Sequence, residues 1–126
     1  MRSSILIIGL LFAALACPGV ASGHHGNAGY YTEKPLTIVG TVTEFDFINP
    51  HCQIFFDTKN DKGEVENWRG ELTAPNKLAR AGWTRNSLKP GDKVTVTGLL
   101  SKSGSHALAV HKLLGPDGQE FLLHED

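Results

Sequence analysis

The sequence predicts a mostly β domain: a small OB-like barrel of five to six strands, with one short helix between strands three and four. Three observations carry this. Segments rich in β-branched and aromatic residues recur between turns built from Gly, Pro, Asn and Asp. A single helical pattern falls after the third of these segments and before the last ones. The first segment is long and changes phase partway, as a bulged or bent strand does. Closing such a sheet removes the open edges that five strands would otherwise leave. A small β-sandwich is the other architecture compatible with this order.

The elements follow in turn. His24 to Lys34 reads as a Gly- and Tyr-containing lead into the first strand, Leu36 to Phe47. Within that strand Leu36, Ile38 and Val42 share one phase, while Phe45 and Phe47 lie on the other. Asn49-Pro50 ends it, and Cys52, Ile54 and Phe56 alternate along a second strand that stops at the turn Asn60-Asp61-Lys62-Gly63. Glu64 to Leu72 is a third, amphipathic strand, with Trp68, Gly70 and Leu72 on one face. Ala74 to Ala81 is the helix, with Pro75 suited to its first turn and Gly82 to its C-terminal cap. Leu78 and Trp83 are placed to pack it on the sheet. Ser87 to Asp92 turns into a fourth strand, Lys93 to Leu100; a turn at Lys102 to Ser105 leads to a fifth, Ala107 to Leu114. Pro116-Asp117-Gly118 precedes a short last strand, Glu120 to Leu123.

The first 23 residues read as a cleaved secretory signal peptide, which leaves residues 24–126 as a single domain. Met1-Arg2 supplies the positive start, Ile5 to Ala16 is unbroken and apolar, and Pro18-Gly19 precedes the small residues Val20 to Gly23. Cleavage after Gly23 leaves His24 first, after Ser22 leaves Gly-His-His, and after Ala21 leaves Ser-Gly-His. Ala14-Leu15-Ala16-Cys17 also offers a poorly matched lipidation motif, with Cys17 as the anchor. Processing to a periplasmic protein leaves one cysteine, Cys52, so no internal disulfide forms and stability rests on packing.

Length and charge narrow the function. The 126 residues carry 12 Lys and Arg against 13 Asp and Glu, a net charge of −1, which argues against a nucleic-acid partner. No apolar run reaches the roughly 18 to 20 residues of a membrane span, so none is expected after processing. No nucleophile elbow, phosphate-cradling Gly loop or His-Glu-x-x-His motif occurs, so no catalytic residue is assigned and an enzyme is not expected.

Several of these motifs, in order, resemble one family. They are His24-His25, Leu36 to Val42, Asn49-Pro50-His51, Trp68-Arg69-Gly70-Glu71-Leu72, Pro75-Asn76-Lys77-Leu78, Gly82-Trp83 and Ser87-Leu88-Lys89-Pro90-Gly91-Asp92. The family is a group of small exported bacterial proteins with a domain of unknown function. The resemblance spans nearly all of the mature chain and implies an exported β-rich domain of a Gram-negative bacterium, without implying an activity. Two positions depart from its pattern: Ala74 stands where a helix-capping Ser is usual, and Cys52 where a bulky apolar residue is typical.

Histidines carry the chemical signal. Each cleavage puts His24 or His25 at or near a free amine, where imidazole and amine nitrogens together suit Cu(II); a solvated, merely His-rich start is the plain alternative. His51 follows the corner Asn49-Pro50, and alternation sets it opposite the apolar Cys52, Ile54 and Phe56 face. It either bonds the turn or serves as a third ligand, because the ten residues between His25 and Leu36 give the lead ample length to fold back. Glu71, outward on the third strand, is a further ligand or hydrogen-bond anchor, or else part of a solvated face beside Arg69. Cys52 reads as a buried apolar residue. His106, His111 and His124 are scattered and read as surface. Tyr30, Tyr31 and Phe55 are the aromatics available to stack on a ligand, whereas Trp68 and Trp83 belong to the core.

The expected function is a small periplasmic binding protein that takes a transition metal, copper foremost, through His24, His25 and His51. The alternative is a metal-free interaction module for an envelope protein or a glycan. The metal reading requires the processed amino end to lie beside the Asn49-Pro50-His51 corner.

Overall fold

A computed structural model describes residues 31–124. The element order is β1 (Tyr31–Asp46), β2 (Gln53–Lys59), β3 (Val65–Glu71), α1 (Pro75–Arg80), β4 (Lys93–Ser101), β5 (Ala107–Leu114) and β6 (Glu120–Phe121). The strands form one sheet in the order β3-β2-β1-β4-β5-β6, and β3 also pairs with β5. That extra ladder is parallel, the others antiparallel, and it closes five strands into a ring. The closure is the OB-like arrangement expected, with α1 between β3 and β4.

β1 holds the ring together because it serves two partners. Its first part pairs with β4 from Tyr31 to Thr41, and its last part pairs with β2 from Thr41 to Asp46. The handover needs Gly40: a Cβ there would sit 2.6 Å from the Phe56 ring and 2.7 Å from the Asp57 carbonyl. The predicted phase change is a bulge. The register steps from Val42↔Phe56 to Glu44↔Phe55, which leaves Thr43 without a partner on β2. Val42 therefore points into the core, and two residues beyond the bulge Phe45 turns to the same interior. The strand begins earlier than the pattern Leu36 to Phe47 implies, because Tyr31 pairs with Ser101 across an irregularity that ends at Pro35.

Alternation on β2 and β3 sets inside from outside. Cys52, Ile54 and Phe56 are buried, as are Trp68, Gly70 and Leu72. The core joins these to Leu78, Trp83, Leu88, Val94, Val96, Leu108, Val110 and Leu113. Cys52 is fully buried and free, and burial raises its thiol pKa, with a hydrogen bond from the Ile48 backbone opposing. The six-residue helix starts on Pro75 with Ala74 as an extended N-cap that makes no side-chain bond. It is kept by tertiary contact: Leu78 is fully buried, and Trp83 N–H donates to the Leu78 carbonyl past Gly82, which takes φ +95°. The Trp83 indole N–H donates to the Leu122 carbonyl at 2.6 Å, and the ring packs on Phe45 and Phe121. The segment after β6 is thereby tied to the chain that follows α1.

Candidate functional site

Glu71, the last residue of β3, is the centre of the site. Tyr31 lies forty positions before it and His51 twenty, and ring closure brings both to its carboxylate. The Tyr31 hydroxyl donates to Oε2 at 3.0 Å, and His51 Nδ1 lies 2.6 Å from Oε1. A carboxylate only accepts, so the contact places a proton on Nδ1, and Nε2 is the ring nitrogen left facing away from Glu71. Each Glu71 oxygen takes one hydrogen bond, and the side chain is still 26% exposed.

The local backbone explains the placement. β2 and β3 stay zipped past their ends, with Cys52 N–H donating to the Thr73 carbonyl and Leu72 N–H to the Cys52 carbonyl. Cys52 thus turns inward and His51 outward, leaving the imidazole 45% exposed while Glu71 is 26% exposed. Gln53 is the residue opposite Glu71, so His51 sits diagonally across the strand pair. On the other side Glu71 faces Ala109 of β5. A cleft of about 210 Å³ opens there, lined by His51, Glu71, Leu72, Thr73, Ala109, Val110 and His111.

Tyr31 differs from its expected role. It is 8% exposed, so its ring is not presented for ligand stacking. Burial first, then the hydrogen bond to Glu71 and that residue's negative charge, raise the phenol pKa above its ordinary 10.0, with Arg69 opposing. The folded state therefore holds the proton more tightly than the unfolded chain. The contribution is intact below pH 10 and is lost as the pH rises towards and through the folded value. Tyr31→Phe is expected to cost about 1 kcal/mol at neutral pH. The gap between the two proteins should narrow above pH 10 in chemical denaturation; a constant gap up to pH 11 contradicts this account.

Phe55 is half-buried on the outer face of β2, between Glu44 and Arg69, and has no ring contact among the described residues. Tyr30, His24, His25 and Cys17 lie outside the described residues, as does the expected signal peptide. Of the three aromatics expected to stack on a ligand, Tyr31 is buried, Phe55 is half-buried and Tyr30 lies outside the described residues. His106 stands differently from a plain surface residue: its ring lies on Trp68, centroids 4.6 Å apart and planes 13° apart, and its Nε2 is 3.9 Å from Glu66. Arg69 N–H donates to the His106 carbonyl, which fixes that approach at the start of β5.

Two further grooves carry no ligating nitrogen or sulfur. One, about 290 Å³, lies between Val39–Thr41 and Asp57–Lys59; the other, about 630 Å³, runs along Thr32–Leu36 beside Leu100 and Lys102. No three His, Cys, Asp or Glu residues among the described ones are grouped to hold a metal ion. No helix among them is long and apolar enough to cross a membrane.

Fold and site together define a small β-ring domain of OB-like order with a histidine anchored by a carboxylate on its outer wall. The chain belongs to a family of unknown function, DUF6152, whose model matches residues 12–109. That span takes in His24, His25, Tyr31, His51 and Glu71 and ends two residues before His111. No curated protein matches the chain.

Proposed function

We propose that this is an exported, periplasmic protein that binds a transition metal, copper(II) by its donor set, through His51 and the N-terminal histidines His24 and His25. The observation that carries the reading is the Tyr31–Glu71–His51 chain of hydrogen bonds. A carboxylate on one ring nitrogen is the usual support of a metal-binding imidazole: it sets the tautomer, orients the ring and raises the basicity of the other nitrogen. Glu71 is then a positioning residue, and Tyr31 positions Glu71.

The same chain of bonds supports the meeting of the two segments. Tyr31 is where the described chain begins, and its hydroxyl is one carboxylate away from the His51 ring. His25 precedes Tyr31 by six residues, a reach of up to about 20 Å when extended, so His24 and His25 have the length to arrive at His51 Nε2. Imidazole and amine nitrogens suit Cu(II), which stands high in the divalent affinity order. Those donors must be unprotonated, so binding weakens in acid.

Mass spectrometry of the secreted protein identifies residue one, and Cu(II) titration against a competing chelator tests the site. Affinity tighter than micromolar is expected for the wild type, with a loss of well over tenfold in His51→Ala. Glu71→Gln should lose roughly 10- to 100-fold while the number of bound imidazoles stays the same. Micromolar or weaker binding that His51→Ala leaves unchanged refutes the proposal.

A further inference from the structure

One edge of β1 is only half used. From Pro35 to Gly40 the strand pairs with β4 alone, and pairing with β2 begins at Thr41. β2 in turn pairs with β3 alone at Thr58 and Lys59. The two strands therefore fork beyond Thr41, and the groove of about 290 Å³ opens in that fork, between Val39–Thr41 and Asp57–Lys59. An edge of this kind presents backbone N–H and C=O groups with which a further extended chain can pair. Natural edges are blunted by charge or proline. Glu33, Lys34 and Pro35 do this at the start of β1, but Leu36 to Gly40 carries neither. That stretch is close to the usual strand length of about 5–6 residues.

The side chains of the groove define the chain that fits it. Val39 and Val65 are the two most exposed large apolar residues among the described ones, at 62% and 58%, and both line it. Lys59 and Lys93 line it as well, both exposed, and neither forms an ion pair among the described residues. Its one acid, Asp57, accepts from the Asn67 side chain at 2.6 Å. The fork is thus apolar at its valines and positive at its rim, although the whole chain has a net charge of −1. A second copy offering the same edge would bring lysines towards lysines, and like charges set against each other across an interface are costly.

We propose that the fork between β1 and β2 is a strand-addition site for an acidic, extended segment of another protein. The segment's backbone pairs along Leu36 to Gly40, its apolar side chains pack on Val39 and Val65, and its carboxylates face Lys59 and Lys93. Main-chain hydrogen bonds supply the affinity and the alternate side chains the selectivity, as strand addition to an open sheet edge does generally. The fork shares no lining residue with the cleft at His51 and Glu71, so this inference is independent of the metal reading.

The test uses the protein purified from cells expressing the whole chain, and a short synthetic peptide that alternates valine with glutamate. Binding is followed by anisotropy of the labelled peptide and by backbone amide NMR. Saturable binding is expected, with the amide shifts concentrated on residues 36–40 and 58–59. Replacing the peptide's glutamates by lysines should weaken it by roughly tenfold or more. Methylating the peptide nitrogens that face the edge, which removes donors and keeps every side chain, should do the same without altering the protein. The double variant Lys59→Glu, Lys93→Glu should lose the acidic peptide and gain the lysine one while its circular dichroism stays that of the wild type. If the acidic peptide does not bind, or if methylated and unmethylated forms bind alike, the proposal is overturned. A stable dimer in light scattering whose NMR interface is residues 36–40 would overturn it too, by making a second copy the occupant.

Discussion

Truncating Phe56 to alanine is expected to remove about 4 kcal/mol of stability, the cost of a deleted buried aromatic plus the cavity it leaves. Phe56 is 1% exposed and occupies the middle of β2, opposite Val42 on β1 and Trp68 on β3. Its ring lies over the Trp68 indole at 6.5 Å and 18°, and Gly40 is bare of side chain where that ring approaches β1. The strands of a closed ring hold one another apart, so the cavity cannot collapse as it would between two sliding sheets. A domain of this size has on the order of 5–15 kcal/mol in total, and the midpoint of thermal unfolding should fall by roughly 20 °C. Phe56→Leu, which keeps most of the volume, should cost less than about 1.5 kcal/mol. Urea unfolding followed by tryptophan emission measures both, and a loss below about 1.5 kcal/mol for the alanine variant would mean that the core is not organised around this ring.

Phe56 also explains what was legible from the chain and what was not. Period-two patterning identified the inward faces of β2 and β3, because each strand buries one face and turns the other outward. The bulge at Thr43 was legible for the same reason: a phase change within one apolar strand is a local signal. Cys52 was legible as core from its place in the Cys52, Ile54, Phe56 phase.

The site was legible in halves. The outward directions of His51 and Glu71 follow from alternation, and their proximity follows from counting outward from the turn Asn60–Gly63, which places Glu71 opposite Gln53 and diagonal to His51. Tyr31 is another matter, since it meets Glu71 only after β1, β4, β5 and β3 have closed on one another. No window of sequence contains that closure. His106 was hidden because its partner Trp68 reads as core; it is core on one face, against Phe56, and covered by the imidazole on the other. His111 was hidden by arithmetic. Simple alternation would put His111 on the face opposite its exposed neighbour Lys112, whereas the register passes at a bulge from Thr97↔Lys112 directly to Gly98↔Val110 and both are exposed. Strand parity is the wrong tool wherever the ladder gains a residue.

That bulge depends on Gly98, and Gly98→Ala is expected to disturb fold and site together. A Cβ at Gly98 would run into the Ala109 carbonyl, with its carbon at 2.9 Å and the Val110 Cα at 3.1 Å. These are backbone atoms, so no rotamer change relieves the contact and β5 must move away from β4. The expected cost is about 3 kcal/mol, the upper part of the range for overpacking. Ala109 is also the residue that faces Glu71, and His111 lies two positions on, so the displacement carries the wall of the cleft with it. On the proposed metal reading, copper affinity should therefore fall in Gly98→Ala even under conditions where the variant is fully folded. Lys112→Ala, on the same strand but clear of that contact, should hold both properties. Denaturation and chelator competition on the same samples separate the two effects. Should Gly98→Ala retain stability within 1 kcal/mol and bind copper as the wild type does, the close approach of β4 to β5 would not be what fixes the bulge, and the position of His111 would need another cause.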